Sequence, residues 1–170
     1  MNSVPEEFNQ KSEEFWSYVE EKLDVYKEKV CRVYREEIWN SGSKGLKQLK
    51  DLDTRNYQLI KKLIKNGAHL EATEDKLLVY ESKAWAEAIR REHNNFIIHE
   101  SYMETLQERA VNIAKRIEET LGDGELGVLF IEPRREIQFD KSIKVIKMYR
   151  FNPLDELKKW QIQRRYTPNQ

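Results

Sequence analysis

A chain of 170 residues with 39% apolar and 35% charged side chains holds enough apolar material for one packed core, and its six Gly and four Pro argue against long disordered linkers. Its single cysteine, Cys31, excludes an intramolecular disulfide and a Cys-based metal cluster. With no run of about 18 apolar residues, and with Glu6 and Glu7 where a secretory signal would be apolar, the expected setting is intracellular, cytoplasmic or nuclear, with no membrane partner.

The 30 bases and 30 acids cancel overall but not locally. Residues 1–25 carry seven acids and two bases, and residues 26–65 carry eleven bases and five acids. Acids dominate again over 66–140, sixteen to nine, and bases over 141–170, eight to two. Such segregation bears on partners and association rather than on fold.

Residues 5–39 read as one long helix. Pro5 suits a first turn, and Glu6 and Glu7 complement the positive end of the helix dipole. Trp16, Val19, Leu23, Tyr26, Val30 and Val33 step by three and four, an a/d seam. Asn40-Ser41-Gly42-Ser43 ends that helix, and a second, over about 44–65, stops at Asn66-Gly67, where Gly suits a C-cap. A short loop between two helices predicts an antiparallel hairpin.

Beyond Gly67, the segments 69–73 and 77–80 read as two short strands around Glu74-Asp75-Lys76. Ser82 offers an N-cap for a helix through about Glu92. Ser101 and Glu104 match a capping box, and Met103, Leu106, Ala110, Ile113, Ala114, Ile117 and Leu121 follow helical spacing until Gly122-Asp123-Gly124. Leu126 to Ile131 reads as a central strand, the alternation at Ile137, Phe139, Ile143 and Val145 as further strand, and Asn152-Pro153 as the start of a last helix. The expected class is α+β: a long N-terminal helical hairpin over 1–66, then an α+β domain over 67–170 with a small, mainly antiparallel sheet under two or three helices.

Three functional expectations follow. The first is a non-catalytic interaction protein that binds a protein partner or itself through the seam at Trp16, Leu23, Tyr26 and Val30. The second is DNA or RNA binding through Lys44, Lys47, Lys50 and Lys61, extended by Arg164 and Arg165, with Trp160 or Tyr166 placed to stack on bases. The third is a metal-dependent nuclease. A strand ending in Glu81-Ser82-Lys83 would put Glu81 and Lys83 on one face. The carboxylate would then hold Mg2+ and the ammonium would position or activate the attacking water, with Glu71, Glu74 or Asp75 supplying a second carboxylate and His69 across the hairpin. The order helix, strand, strand with Glu-x-Lys, helix is loosely similar to the restriction-endonuclease-like nucleases over about forty residues, although the Pro-Asp pair of that family's pattern is absent. No cofactor is expected outside that third reading. His93 and His99 are six apart, not the i, i+4 spacing of a helical metal pair, and Cys31 reads as a small packing residue on the first helix.

Overall fold

The structure, a computed structural model, describes residues 6–149 together with 151–153, 155 and 158. The elements run α1 (Glu6–Tyr26), β1 (Val30–Arg35), α2 (Gly42–Leu52), α3 (Thr54–Lys65), β2 (His69–Leu70), α4 (Lys76–Arg91), α5 (Phe96–Thr120) and β3 (Leu126–Phe130). The class is α+β: among the described residues five complete helices accompany one three-stranded sheet, but the sheet is parallel, in the order β2-β1-β3.

The parallel pairing corrects the antiparallel expectation, and its cause is the missing hairpin at 69–80. Residues 77–80 belong to α4, so no tight turn joins two strands. Each successive strand is instead reached through a pair of helices, α2–α3 and then α4–α5, the kind of long crossover that parallel neighbours require. Asp75 decides the helix, because its carboxylate accepts from the amides of Leu77 (2.7 Å) and Leu78 (3.3 Å). A strand here would need Leu77 covered, yet it is 76% exposed, while Val79 and Ser82 face inward.

The helix expected over 5–39 also ends early, at Tyr26. Val30-Cys31-Arg32-Val33-Tyr34-Arg35 is rich in β-branched and aromatic residues, and it forms the middle strand, β1. Val33 and Tyr34 point to opposite faces of the strand and are both fully buried, so the sheet is covered on both sides. A strand with two buried faces loses its period of two. A register shift between Val30 and Arg32 disrupts it further, which is why these residues passed for a helical seam.

Other boundaries move for local reasons. The second helix breaks at Asp53, which is extended (φ −155°, ψ 104°) and caps α3 by accepting from the amides of Arg55 (3.0 Å) and Asn56 (3.1 Å). α5 starts at Phe96 under Asn95, so Ser101 and Glu104 are mid-helix and the capping box does not form. Gly67 (φ +103°) ends α3's turn as expected, and α5 stops ahead of Gly124 (φ +74°). β3 is an edge strand, not a central one. Residues 137–149 form no strand, and their alternation reflects packing: Ile137, Phe139 and Ile143 lie against the core of Tyr34, Ile113 and Ile117.

Residues 27–144 form one compact unit, and residues 1–26 with 145–170 form another. In the larger unit, α2 and α3 pack on β1 and β2, and α4 packs on α5. The Tyr34 hydroxyl meets Thr120 Oγ1 at 2.8 Å. Burial raises the Tyr34 pKa, against the lowering effect of that hydrogen bond. In the smaller unit, Phe15 makes edge-on contacts with Trp16 (5.2 Å) and Phe151 (5.9 Å), and Lys11 stands over the Phe151 ring. Pro153, Asp155 and Lys158 are helical, in line with the expected last helix, whereas Trp160, Arg164, Arg165 and Tyr166 lie outside the described residues. Among the described residues no helix is long and apolar enough to cross a membrane.

Candidate nucleic-acid interface

α2 and α3 turn their apolar sides inward. Gly45 and Leu49 are buried on α2, and Asn56, Leu59, Ile60 and Leu63 on α3. The outward arcs carry many of the basic residues, alongside the exposed Asp51 and Leu52. Over 42–65 there are seven bases and two acids, and Lys44, Lys47, Lys50, Lys61, Lys62 and Lys65 are all exposed. One of the two acids, Asp53, is committed to its cap and lies 3.8 Å from Arg35. Among the described residues, Lys44, Lys47, Lys50 and Lys65 have no carboxylate partner, and Lys61 rests over the ring of Tyr57 (5.7 Å). Lys50, Lys62 and Lys65 also sit in last turns, where they complement the helix dipole. α2 opens without a side-chain cap from Ser41, unlike α3, α4 and α5.

Many bases elsewhere in this unit are matched, although among the described residues Lys29, Lys76, Lys141 and Lys144 have no carboxylate partner. Arg32 pairs with Glu71 (2.5 Å) and Glu125 (3.2 Å), and those hydrogen bonds raise its pKa. Arg90 and Arg91 grip Glu87, and hydrogen bonding from Arg90 holds that carboxyl low. Lys83 meets Glu37 at 3.0 Å, and Lys115 and Arg116 both reach Glu119 (3.8 Å). Lys44, Lys47, Lys50 and Lys65 are therefore distinguished by their concentration on two adjacent helices, where bases outnumber acids seven to two.

A second charged group gathers at the carboxyl ends of the strands, where open parallel sheets bind their ligands. Arg109, from α5, donates through Nε (2.6 Å) and Nη2 (2.7 Å) to the two oxygens of Glu74, and through Nη1 to Ser82 (2.8 Å). The two charged side chains are 4% and 0% exposed. Burial opposes the Arg109 charge, but the Glu74 hydrogen bonds and charge outweigh it and raise the pKa. Glu74 also accepts from the amide of Glu37 (2.9 Å), which holds a left-handed conformation at φ +65°. Beside this pair, Glu36 accepts from the Glu132 amide (2.8 Å) and from Arg135 (3.1 Å). These ion pairs are internal, so the cluster fastens the loops after β1 and β3 to α5 and leaves no unmatched charge for a ligand. The sequence offers Glu74 only as a possible metal carboxylate; its pairing with Arg109 is not legible there, because the two are 35 residues apart and nothing local links them.

Glu36 makes a testable contribution to pH dependence. Burial pushes its carboxyl above the ordinary value of 4.5, and Arg135 and then Arg35 offset this only in part. The folded state therefore holds this proton more tightly than the unfolded chain. That contribution is full below the unfolded pKa and is lost as pH rises through the folded one. Glu36→Gln keeps an acceptor for the Glu132 amide. It is expected to flatten the fall in urea midpoint across that window, and identical slopes for wild type and variant would rule the contribution out.

The remaining candidates are dispersed. Glu81 and Lys83 sit on α4, roughly 200° apart around the helix, and not on one strand face. Glu81 accepts from Trp85 Nε1 (3.3 Å), Asp75 caps α4, and Glu71 serves Arg32 with His69 at 4.0 Å. Among the described residues, no group of three or more His, Cys, Asp or Glu is placed to hold a metal ion, so Glu71, Asp75 and Glu81 do not converge on one. The ring of His99 donates to the backbone carbonyl of His93 (3.0 Å). Cys31 is half-buried in β1, not on a helix, with its thiol directed at the Lys29 carbonyl. Of the seam, Leu23 (5% exposed) and Val30 (3%) are buried and present no surface to a partner, while Trp16 and Tyr26 are half-buried. Comparison of the chain with protein-family models, curated proteins and solved structures gives no match.

Proposed function

We propose that the protein binds nucleic acid and holds the phosphate backbone along the outward arcs of α2 and α3. The observation that carries this reading is the set of exposed lysines, Lys44, Lys47, Lys50 and Lys65, without carboxylate partners on two packed helices that carry seven bases to two acids. An ammonium held against solvent with no internal counter-charge gives up nothing to meet a phosphate, and it releases condensed counterions when it does. Lys61 and Tyr57 add a cation beside an aromatic ring on the same helix. Such contacts position a backbone and carry little sequence information, so broad specificity is expected.

Four phosphate contacts on duplex DNA give a slope of about −3.6 in log affinity against log salt, or roughly a hundredfold loss between about 50 and 200 mM. Each Lys→Ala change is expected to reduce that slope by about 0.9. Fluorescence anisotropy with labelled duplex and single-stranded DNA and RNA measures both quantities. Absence of binding at low salt, or an unchanged slope in a Lys44→Ala, Lys47→Ala, Lys50→Ala triple variant, would end the proposal.

A further inference from the structure

The outward side of α5 is built differently from that of α2 and α3. Four apolar side chains stand uncovered on it: Phe96 (74% exposed), Ile97 (71%), Met103 (61%) and Val111 (59%). At about 100° per residue they share one arc of the helix with Glu100, Glu104 and Glu108. Those three exposed acids repeat at i, i+4, where like charges repel along a helix. Among the described residues none of them has an ion-pair or hydrogen-bond partner. No base on α5 relieves them: Arg109 is turned inward onto Glu74, and Lys115 and Arg116 are taken by Glu119. On neighbouring α4, by contrast, Glu87 is neutralised within its own helix.

We propose that this arc of α5 docks a basic amphipathic helix of a protein partner. Its apolar positions run from Phe96 to Val111, about 22 Å or four turns, which is the length of an ordinary helix laid alongside. Phe96 and Ile97 anchor one end, and the flexible Met103 fills the middle. The three glutamates meet Lys or Arg residues flanking the partner's apolar stripe. The same charges argue against other occupants. Two copies of this arc laid together would set glutamate against glutamate, and an acidic lipid surface or a phosphate chain would be repelled.

The test uses the full chain and three labelled synthetic peptides of about 18 residues, roughly five helical turns. One is an amphipathic helix of Leu and Lys, one keeps the apolar pattern with Leu and Glu, and one keeps the charge with Lys and Gln. The Leu/Lys peptide is expected to bind and the other two to bind at least about tenfold more weakly. Binding is expected to weaken by about tenfold or more in Phe96→Ser with Met103→Ser, and again in Glu100→Lys with Glu104→Lys and Glu108→Lys. All five positions are exposed, and circular dichroism checks that the variants fold. Equal binding of the Lys/Gln peptide, no binding of the Leu/Lys peptide, or indifference to either variant set overturns the proposal. So does self-association in sedimentation that Phe96→Ser abolishes, which would assign the arc to a second copy.

Discussion

Glu74→Gln is expected to cost about 3–5 kcal/mol, because it leaves the Arg109 guanidinium buried without its counter-charge. For a chain of this length that is a fall in melting midpoint of roughly 6–20 °C. The wild-type pair does not itself supply that much stability. Desolvating two ions consumes most of what their attraction returns, and only the broken pair exposes the full penalty. The cycle Glu74→Gln, Arg109→Met and the double variant separates the two effects. The double variant is expected to recover most of the loss. It still leaves Ser82 without its donor from Arg109, at a cost of about 1–3 kcal/mol if no water replaces it. Urea unfolding measures each corner. A single variant within about 1 kcal/mol of wild type would mean that Arg109 regains solvent and that the pair is not closed off.

The parts of the fold legible in sequence were those set by one or two residues. Gly67 and the Gly122–Gly124 turn end helices where their backbone freedom says they should, and the inward residues of α5 follow its period. The exposed lysines of α2 and α3 were readable for the same reason, since the face opposite a Leu stripe meets solvent. Parallel pairing was not readable. It depends on contacts between Val33 and Leu70, and between Val33 and Val128, which no local pattern announces. The strand–helix confusion ran both ways. Val30 to Arg35 has two buried faces and lost its alternation, and Leu77 to Tyr80 looked like a strand only while Asp75 was read as a turn residue. Asp53, Asp75 and Asn95 each stand directly before a helix and cap it, so a signal was present at all three. The Glu74–Arg109 pair left no such trace. The apolar arc of α5 was hidden because Met103 counted toward a core face that it does not join.

Gly45→Ala is expected to destabilise the protein by about 1–3 kcal/mol, through forced displacement of a packed element. The same change in an ordinary helix interior stabilises by roughly 0.5–1 kcal/mol, so the sign itself is informative. A Cβ at Gly45 would overlap the carbonyl oxygen of Asn40 and lie 3.1 Å from Leu70 Cδ2. The first obstacle is backbone, and that backbone is pinned. Asn40 Nδ2 donates to Gln48 Oε1 (3.1 Å), and Gln48 Nε2 donates to the Glu37 carbonyl (2.6 Å). Relief must come from α2 sliding off the loop that follows β1, which also moves Lys44 and Lys47. Two readings should therefore change together: a lower urea midpoint, and a smaller salt slope for nucleic acid even where the variant remains folded. Ser43→Ala, at an exposed position on the same helix, serves as the control and should fall within about 0.5 kcal/mol of wild type. Wild-type stability in Gly45→Ala would show that the loop yields, and that this contact does not set the position of α2.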